Sequence, residues 1–142
     1  MEDNLKRQII LNNYQNPSNK KNPNDNNYLK INTNNESCID NIDIYLKIEK
    51  NKIKDIKFEG EACVIAISST EILSQLLKEK TKEEALEIIN NYHNMIENKK
   101  YNKDLLKQAI AFDDISKQPS RKICAKMASD GIEKILKDHI SN

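Results

Sequence analysis

The sequence contains no tryptophan and only two glycines among its 142 residues. Where glycine is this scarce, we expect each one to mark a backbone position that a side chain would obstruct, such as a bulge or a tight bend. Gly60 follows a strand-like run and precedes Cys63 by three residues. The cysteine is therefore predicted to be held in a fixed direction beside a bend.

Excess charge and long apolar runs are also missing. The net charge is +1, which argues against a protein that binds nucleic acid through bulk charge. No apolar run approaches the roughly 20 residues of a membrane-spanning helix, and the polar start at Met1–Asn4 does not resemble a signal peptide. We therefore expect a cytoplasmic protein with no nucleic-acid or membrane partner, and one domain over residues 1–142.

The three cysteines are an odd number, so a complete disulfide framework is not expected in a reducing compartment. They stand at Cys38, Cys63 and Cys124. Free cysteines are often buried as small hydrophobic residues. Their spacing includes no pair separated by two residues, so spacing alone leaves both an inert role and a shared metal site open.

Periodicity predicts a helix over residues 2–11 and an asparagine-rich loop over 12–35. From residue 41 apolar and polar residues alternate, and a turn at Lys50-Asn51 leads to a second alternating run, so residues 41–59 are predicted to form a hairpin. The short apolar run 63–67 is predicted to be a third, more buried strand.

The remainder of the sequence indicates helices. Ser68 with Glu71 and Thr81 with Glu84 both match the capping box that starts a helix. A shorter helix or turn is predicted over 103–112, and Pro119 fits the first turn of a final amphipathic helix. The prediction is an α+β fold with an N-terminal helix, a three-stranded antiparallel sheet and C-terminal helices on one sheet face.

The predicted elements offer a set of ligands for a metal ion. Cys38 and Asp40 are two residues apart in extended chain, so their side chains point the same way. Cys124 falls in the first turns of a helix, where free N–H groups favour a thiolate. Three thiolates and one carboxylate suit tetrahedral Zn²⁺, and nearby Arg121 can offset their negative charge.

Four segments resemble the IscU/SufU (NifU N-terminal-like) family of iron–sulfur cluster assembly proteins. Residues 13–19, NYQNPSN, resemble the family's HYxNPxN; residues 35–40, NESCID, resemble NPxCGD; residues 58–69 resemble FxGxGCxIS; and residues 119–125, PSRKICA, resemble PxRxKCA. The segment at 13–19 is open to two interpretations, a docking arm or a loop packed on the sheet. The resemblance spans about residues 5–138.

The resemblance is stronger to the SufU branch. Ile123 stands where the IscU branch has a histidine before the third cysteine, and the LPPVK motif is missing. The interval of 61 positions from Cys63 to Cys124, which includes residues 101–117, resembles an insertion of the SufU branch. The resemblance implies zinc bound by Cys38, Asp40, Cys63 and Cys124, with Cys38 as the sulfur acceptor. It also implies a PLP-dependent cysteine desulfurase of the SufS/IscS type as partner.

Three classes of function follow. The first is a zinc-dependent sulfurtransferase that serves the desulfurase as an accessory. The second is a scaffold that carries a [2Fe–2S] cluster on the same ligands and delivers it to apo iron–sulfur proteins. The third is an interaction module with inert cysteines.

Overall fold

The computed structural model describes residues 1–35 and 40–139, which form four α-helices and one sheet. The elements in chain order are α1 (Asp3–Gln15), β1 (Leu29–Asn34), β2 (Asn41–Glu49), β3 (Lys52–Glu61), α2 (Val64–Leu77), α3 (Lys82–Ile96), two 3₁₀ segments (Lys103–Leu105 and Lys107–Lys117) and α4 (Pro119–Asp138). The predicted α+β architecture is confirmed, with the three strands antiparallel in the order β1-β2-β3.

The β2–β3 hairpin forms the centre of the sheet. Lys50 and Asn51 both adopt positive φ, as a tight two-residue turn of the hairpin type requires. Ile44 of β2 pairs with Ile31 of β1 on one side and with Phe58 of β3 on the other. Ile44 and Phe58 are completely buried, which places the hydrophobic core between the sheet and the helices.

The identity of the strands differs from the prediction at two places. The run 63–67 begins helix α2 and is not a strand, because the apolar sequence continues to Leu77 and is buried on nearly all sides. A short apolar run does not distinguish a buried strand from a buried helix by its periodicity. The missing strand is β1, which lies within the stretch 12–35 that was predicted to be a loop.

Helix boundaries also correct some of the predictions. α1 extends to Gln15, past the predicted end at residue 11. Ser68 and Glu71 do not form a capping box, because both are buried inside α2. The capping box of Thr81 with Glu84 is confirmed at the start of α3, and Pro119 does occupy the first turn of α4.

The helices bring distant parts of the sequence to one end of the sheet. Only two residues separate the end of β3 from the start of α2, and α4 packs against α2, β1 and β2. Close contact between α4 and the sheet occurs at Gly131, where an added Cβ would lie 2.7 Å from the Thr33 methyl carbon. Within residues 1–35 and 40–139, no helix has the length and apolar character needed to cross a membrane.

Candidate metal centre

Asp40 links the two cysteines that the structure describes. It lies directly before β2, and its side chain is buried. Oδ1 accepts a hydrogen bond of 2.8 Å from the backbone N–H of Cys63, and Oδ2 accepts one of 3.3 Å from the Cys124 thiol. The carboxylate therefore has a fixed orientation between β3, α2 and α4.

Cys63 is the N-cap residue of α2. Its Sγ accepts a hydrogen bond of 3.4 Å from the backbone N–H of Ala66, and the residue is exposed to solvent. The prediction had placed Cys124 at the free N–H groups of a helix start, but in the structure it is Cys63 that accepts a hydrogen bond from such a group.

Cys124 lies in the second turn of α4, five residues after Pro119, and is buried. Burial, together with the neighbouring Cys63 and Asp40 side chains, raises the pKa of the Cys124 thiol to about 12. Asn35 contributes a contact of 3.9 Å from its Nδ2 to the Cys124 Sγ. Without a cation nearby, this sulfur is therefore a protonated thiol that donates to Asp40.

The three side chains are close enough to share one metal ion. One ligand atom from each of Asp40, Cys63 and Cys124 lies within 4.8 Å of the others. The Asp40 Oδ2 to Cys124 Sγ distance of 3.3 Å is near the separation of about 3.5 Å for a sulfur and an oxygen on a tetrahedral zinc. The fourth predicted ligand, Cys38, lies outside the described residues and precedes Asp40 by two positions.

Arg121 and Gly60 lie near this cluster. Arg121 is exposed and lines a cavity of about 350 Å³ together with Cys63 and Cys124. Gly60 lies in β3 and not in a bend, but its φ of +127° confirms a backbone position that a side chain would obstruct. An added Cβ would lie 2.1 Å from the carbonyl oxygen of Asn41, the residue after Asp40.

Sequence reasoning missed the roles of two buried polar residues, of which one contacts the site. Asn35 contacts the Cys124 sulfur, and its backbone N–H donates to the Asp40 carbonyl oxygen at 3.1 Å. Its place in the NPxCGD-like segment was the available signal. Glu71 is fully buried and accepts hydrogen bonds from Ser18 and Asn19, so it attaches the N-terminal segment to α2. A lone glutamate inside an apolar helix was the signal there.

Known proteins share this fold and sequence. The profile of the family described as "NifU-like N terminal domain" matches residues 5–141. The zinc-dependent sulfurtransferase SufU of Bacillus subtilis is 35% identical over 93% of this chain and 89% of its own length. The iron–sulfur cluster assembly scaffold protein IscU of Thermotoga maritima is 32% identical over 72% of each.

A solved structure extends the comparison to three dimensions. A crystal structure from Fervidobacterium islandicum AW-1, described as a scaffold protein for iron–sulfur cluster assembly in the SUF system (FiSufU), superposes with a TM-score of 0.83. It is 29% identical, with 91% of this chain and 94% of that chain covered. With its α+β fold and its Asp40, Cys63 and Cys124 cluster, the chain belongs to the NifU-like N-terminal domain family, the SufU/IscU family of iron–sulfur cluster assembly scaffold proteins.

Proposed function

We propose that this protein is a zinc-dependent sulfur acceptor that takes persulfide sulfur from a cysteine desulfurase during iron–sulfur cluster assembly. The observation that carries the proposal is the convergence of Asp40, Cys63 and Cys124 from three distant parts of the chain. The name of the B. subtilis relative specifies zinc and sulfur transfer, which supports the same assignment. Thiols of this kind stay reduced in the cytoplasm, where we expect the protein to act.

The ligand set that we propose is Cys38, Asp40, Cys63 and Cys124. Bound zinc would keep the ligating thiols deprotonated at neutral pH. The chain contributes rigidity, because Asp40 is already hydrogen-bonded to the backbone of Cys63 and to the side chain of Cys124. The exposed Cys63 and the buried Cys124 form the fixed side of the site.

We propose Cys38 as the residue that receives the sulfur. Its thiolate attacks the outer sulfur of the desulfurase persulfide, a new S–S bond forms at Cys38, and the desulfurase cysteine leaves as a thiolate. The S–S bond that breaks is replaced by the one that forms, so the exchange consumes no external oxidant or reductant. Cys124 is buried, which makes it the less accessible of the two described thiols.

Arg121 has the position to assist this exchange. It lines the cavity of Cys63 and Cys124, and it also lines a second surface depression, of about 580 Å³, beside α1 and the start of α2. A guanidinium at this border favours the approach of an anionic persulfide. We propose that the depression receives the part of the desulfurase that carries the persulfide.

The function is tested by replacing Cys38 with alanine. We expect the Cys38→Ala protein to lose all stimulation of a SufS-type desulfurase, because no thiolate at this position can accept the sulfur. The measurement is the rate of alanine release from cysteine, with persulfide on the protein detected by mass spectrometry. The described residues already form a continuous hydrophobic core, so we expect the fold to persist.

An exposed residue of the same depression serves as the matched control. Arg7, the only other arginine, lines the depression but not the cysteine cavity. In the same assay, Arg121→Met should lower the stimulation of the desulfurase, and Arg7→Met should lower it less, because Arg7 does not line the cysteine cavity. Undiminished stimulation by Cys38→Ala, with persulfide still formed, would contradict the proposed acceptor.

The second candidate function is a scaffold for a [2Fe–2S] cluster that is then transferred to apo-proteins. The name of the T. maritima relative favours it, as do the shared thiolate ligands. Ile123 is half exposed and lines a groove beside β1, so the position before Cys124 supplies no additional ligand. A stable visible absorbance after anaerobic reconstitution with iron and sulfide, followed by transfer to an apo-ferredoxin, would favour the scaffold over the zinc protein.

A further inference from the structure

We propose that His93, Asp130 and Glu133 form a second binding site for a divalent transition metal, separate from the cysteine cluster. One ligand atom from each of these side chains lies within 4.8 Å of the others. His93 belongs to the last turn of α3, and the two carboxylates belong to α4. None of the three takes part in the sulfur chemistry proposed above.

The helices present these side chains to one point. Asp130 and Glu133 are three residues apart on α4 and therefore lie on the same face of that helix. α3 packs against α4 and places the His93 Nε2 at 3.3 Å from the Asp130 Oδ1. Nitrogen and oxygen ligands at about 2.0–2.1 Å on a tetrahedral zinc are separated by about 3.3–3.4 Å. The observed pair thus needs little movement to bind one ion.

The protonation of His93 suits a ligand. Burial lowers the pKa of its imidazole, against the opposing effect of Asp130, which favours the neutral ring. Lys126, Glu133 and Glu97 are the other charged groups that act on it. Only a neutral imidazole has a lone pair available for a metal.

The ring also has a hydrogen bond that metal binding would replace. The His93 Nε2 lies 2.8 Å from the Ser129 Oγ, and that hydroxyl lies 3.1 Å from the Lys126 carbonyl oxygen, to which it can donate. Because the Ser129 hydroxyl then gives its only proton to the Lys126 carbonyl, it accepts a hydrogen bond from His93, and the imidazole proton is on Nε2. A metal at Nε2 therefore requires the ring proton to move to Nδ1, which changes the tautomer.

Asp130 is the more accessible of the two carboxylates to a cation, because the nearby lysines pair with other groups. Lys126 lies 3.7 Å from Glu97, and Lys137 reaches Glu133 at 3.7 Å from the following turn. Over residues 1–35 and 40–139, Asp130 has no lysine or arginine at ion-pair distance, and the His93 Nε2 lies 3.3 Å from its Oδ1. A divalent ion at this point would supply the positive charge that Asp130 lacks and would compete with Lys137 for Glu133.

The chemical class of the metal follows from the donors. One imidazole and two carboxylates suit zinc, cobalt or nickel and lack the thiolates that give the cysteine cluster its affinity. We therefore expect the second equivalent of zinc to bind here, more weakly than the first.

The test uses the full chain carrying one equivalent of zinc, to which further ZnCl₂ is added. The chain has only two histidines, His93 and His139, so imidazole ¹⁵N–¹H NMR spectra separate them. We expect His93 to change from the Nε2–H to the Nδ1–H tautomer and to saturate near one added equivalent, while His139 stays unchanged. Each of the substitutions His93→Gln and Asp130→Asn should lower the affinity for the second equivalent of zinc at least about tenfold.

His139→Gln is the matched control and should leave the second equivalent in place. A His93 signal that does not move, or two histidine signals that move in parallel without saturation, would overturn the proposal. Asp130→Asn alters an exposed side chain, so it tests the site even if His93→Gln disturbs the packing of α3 on α4. Zinc at the cysteine cluster is counted separately in the first equivalent, so failure of one site is distinguishable from failure of the other.

Discussion

Gly60 allows β2 and β3 to approach each other where Asp40 enters the sheet. It pairs with Ile42, and its φ of +127° belongs to a region that side chains rarely adopt. The carbonyl of Asn41 occupies the space where a Cβ would be. The glycine in β3 therefore helps to fix the position of Asp40, a proposed ligand directly before the neighbouring strand.

Replacing Gly60 with alanine should destabilise the protein by at least about 2 kcal/mol. The new Cβ would collide with the backbone of Asn41, and the positive φ would strain the backbone of the alanine. Urea unfolding measures the loss, and zinc content shows whether Asp40 has moved. Gly131→Ala is the matched control. Gly131 lies within α4, and its new Cβ would meet a side-chain methyl of Thr33 and not backbone. An equal or larger loss for Gly131→Ala would contradict this account of Gly60.

At the residue scale, the sequence indicates which side chains lie together better than it indicates their roles. Asp40, Cys63 and Cys124 do converge, as the family resemblance implied. Which cysteine caps a helix could not be predicted, because the boundary of α2 depends on tertiary burial. Cys38 as ligand and acceptor stays a prediction, as does the role of Arg121.

At the scale of elements, the segment between α1 and β1 is a loop packed on the sheet. The carbonyl of Asn19 accepts the backbone N–H of Phe58 at 3.0 Å, which covers the outer edge of β3. The Asn19 side chain donates to the buried Glu71 at 2.9 Å. Asn19 of the HYxNPxN-like segment therefore has a structural role, in keeping with the interpretation of that segment as a loop packed on the sheet, while a docking role stays a prediction.

The same loop contributes an acid-sensitive cluster on the other face of the sheet. Asp55 of β3 accepts hydrogen bonds from Lys57, Tyr28 and Lys78, at 2.9, 2.6 and 3.1 Å. Burial alone would raise the pKa of Asp55, but these three donors outweigh it and lower the pKa to about 2. The unfolded chain therefore binds the proton more readily than the folded protein does.

This difference predicts how Asp55 affects acid unfolding. Its contribution is fully present above the ordinary pKa near 3.8 and is lost as the pH falls through about 2. Between pH 5 and pH 2, the wild type should lose up to about 2 kcal/mol more of its free energy of unfolding than Asp55→Asn. Urea titrations at several pH values measure both proteins. Parallel curves for the two would contradict the role of this carboxylate.

The two elements that were predicted wrongly both lack a clear contrast between a buried face and an exposed face. β1 is an edge strand with mostly exposed or half-buried residues, so its asparagine-rich sequence resembles a loop. α2 is buried on almost every side and lacks the polar face that identifies a surface helix. The β2–β3 hairpin was predictable because one face is buried and the other is not.

At the scale of the whole molecule, the architecture brings three separate sequence segments to one end of the sheet. β2 begins after Asp40, β3 leads into Cys63, and α4 carries Cys124 back across the same end. The order of helix, sheet and helices was sufficient to predict the α+β class. A single cooperative domain over residues 1–142 stays a prediction.

The central claim is that these segments hold one zinc ion through three sulfurs and one oxygen. X-ray absorption at the zinc edge tests it most directly, on protein carrying one equivalent so that the weaker site stays empty. The account predicts three sulfur atoms at about 2.3 Å and one oxygen at about 2.0 Å. A first shell with two or fewer sulfur atoms, or with nitrogen and oxygen alone, would contradict it.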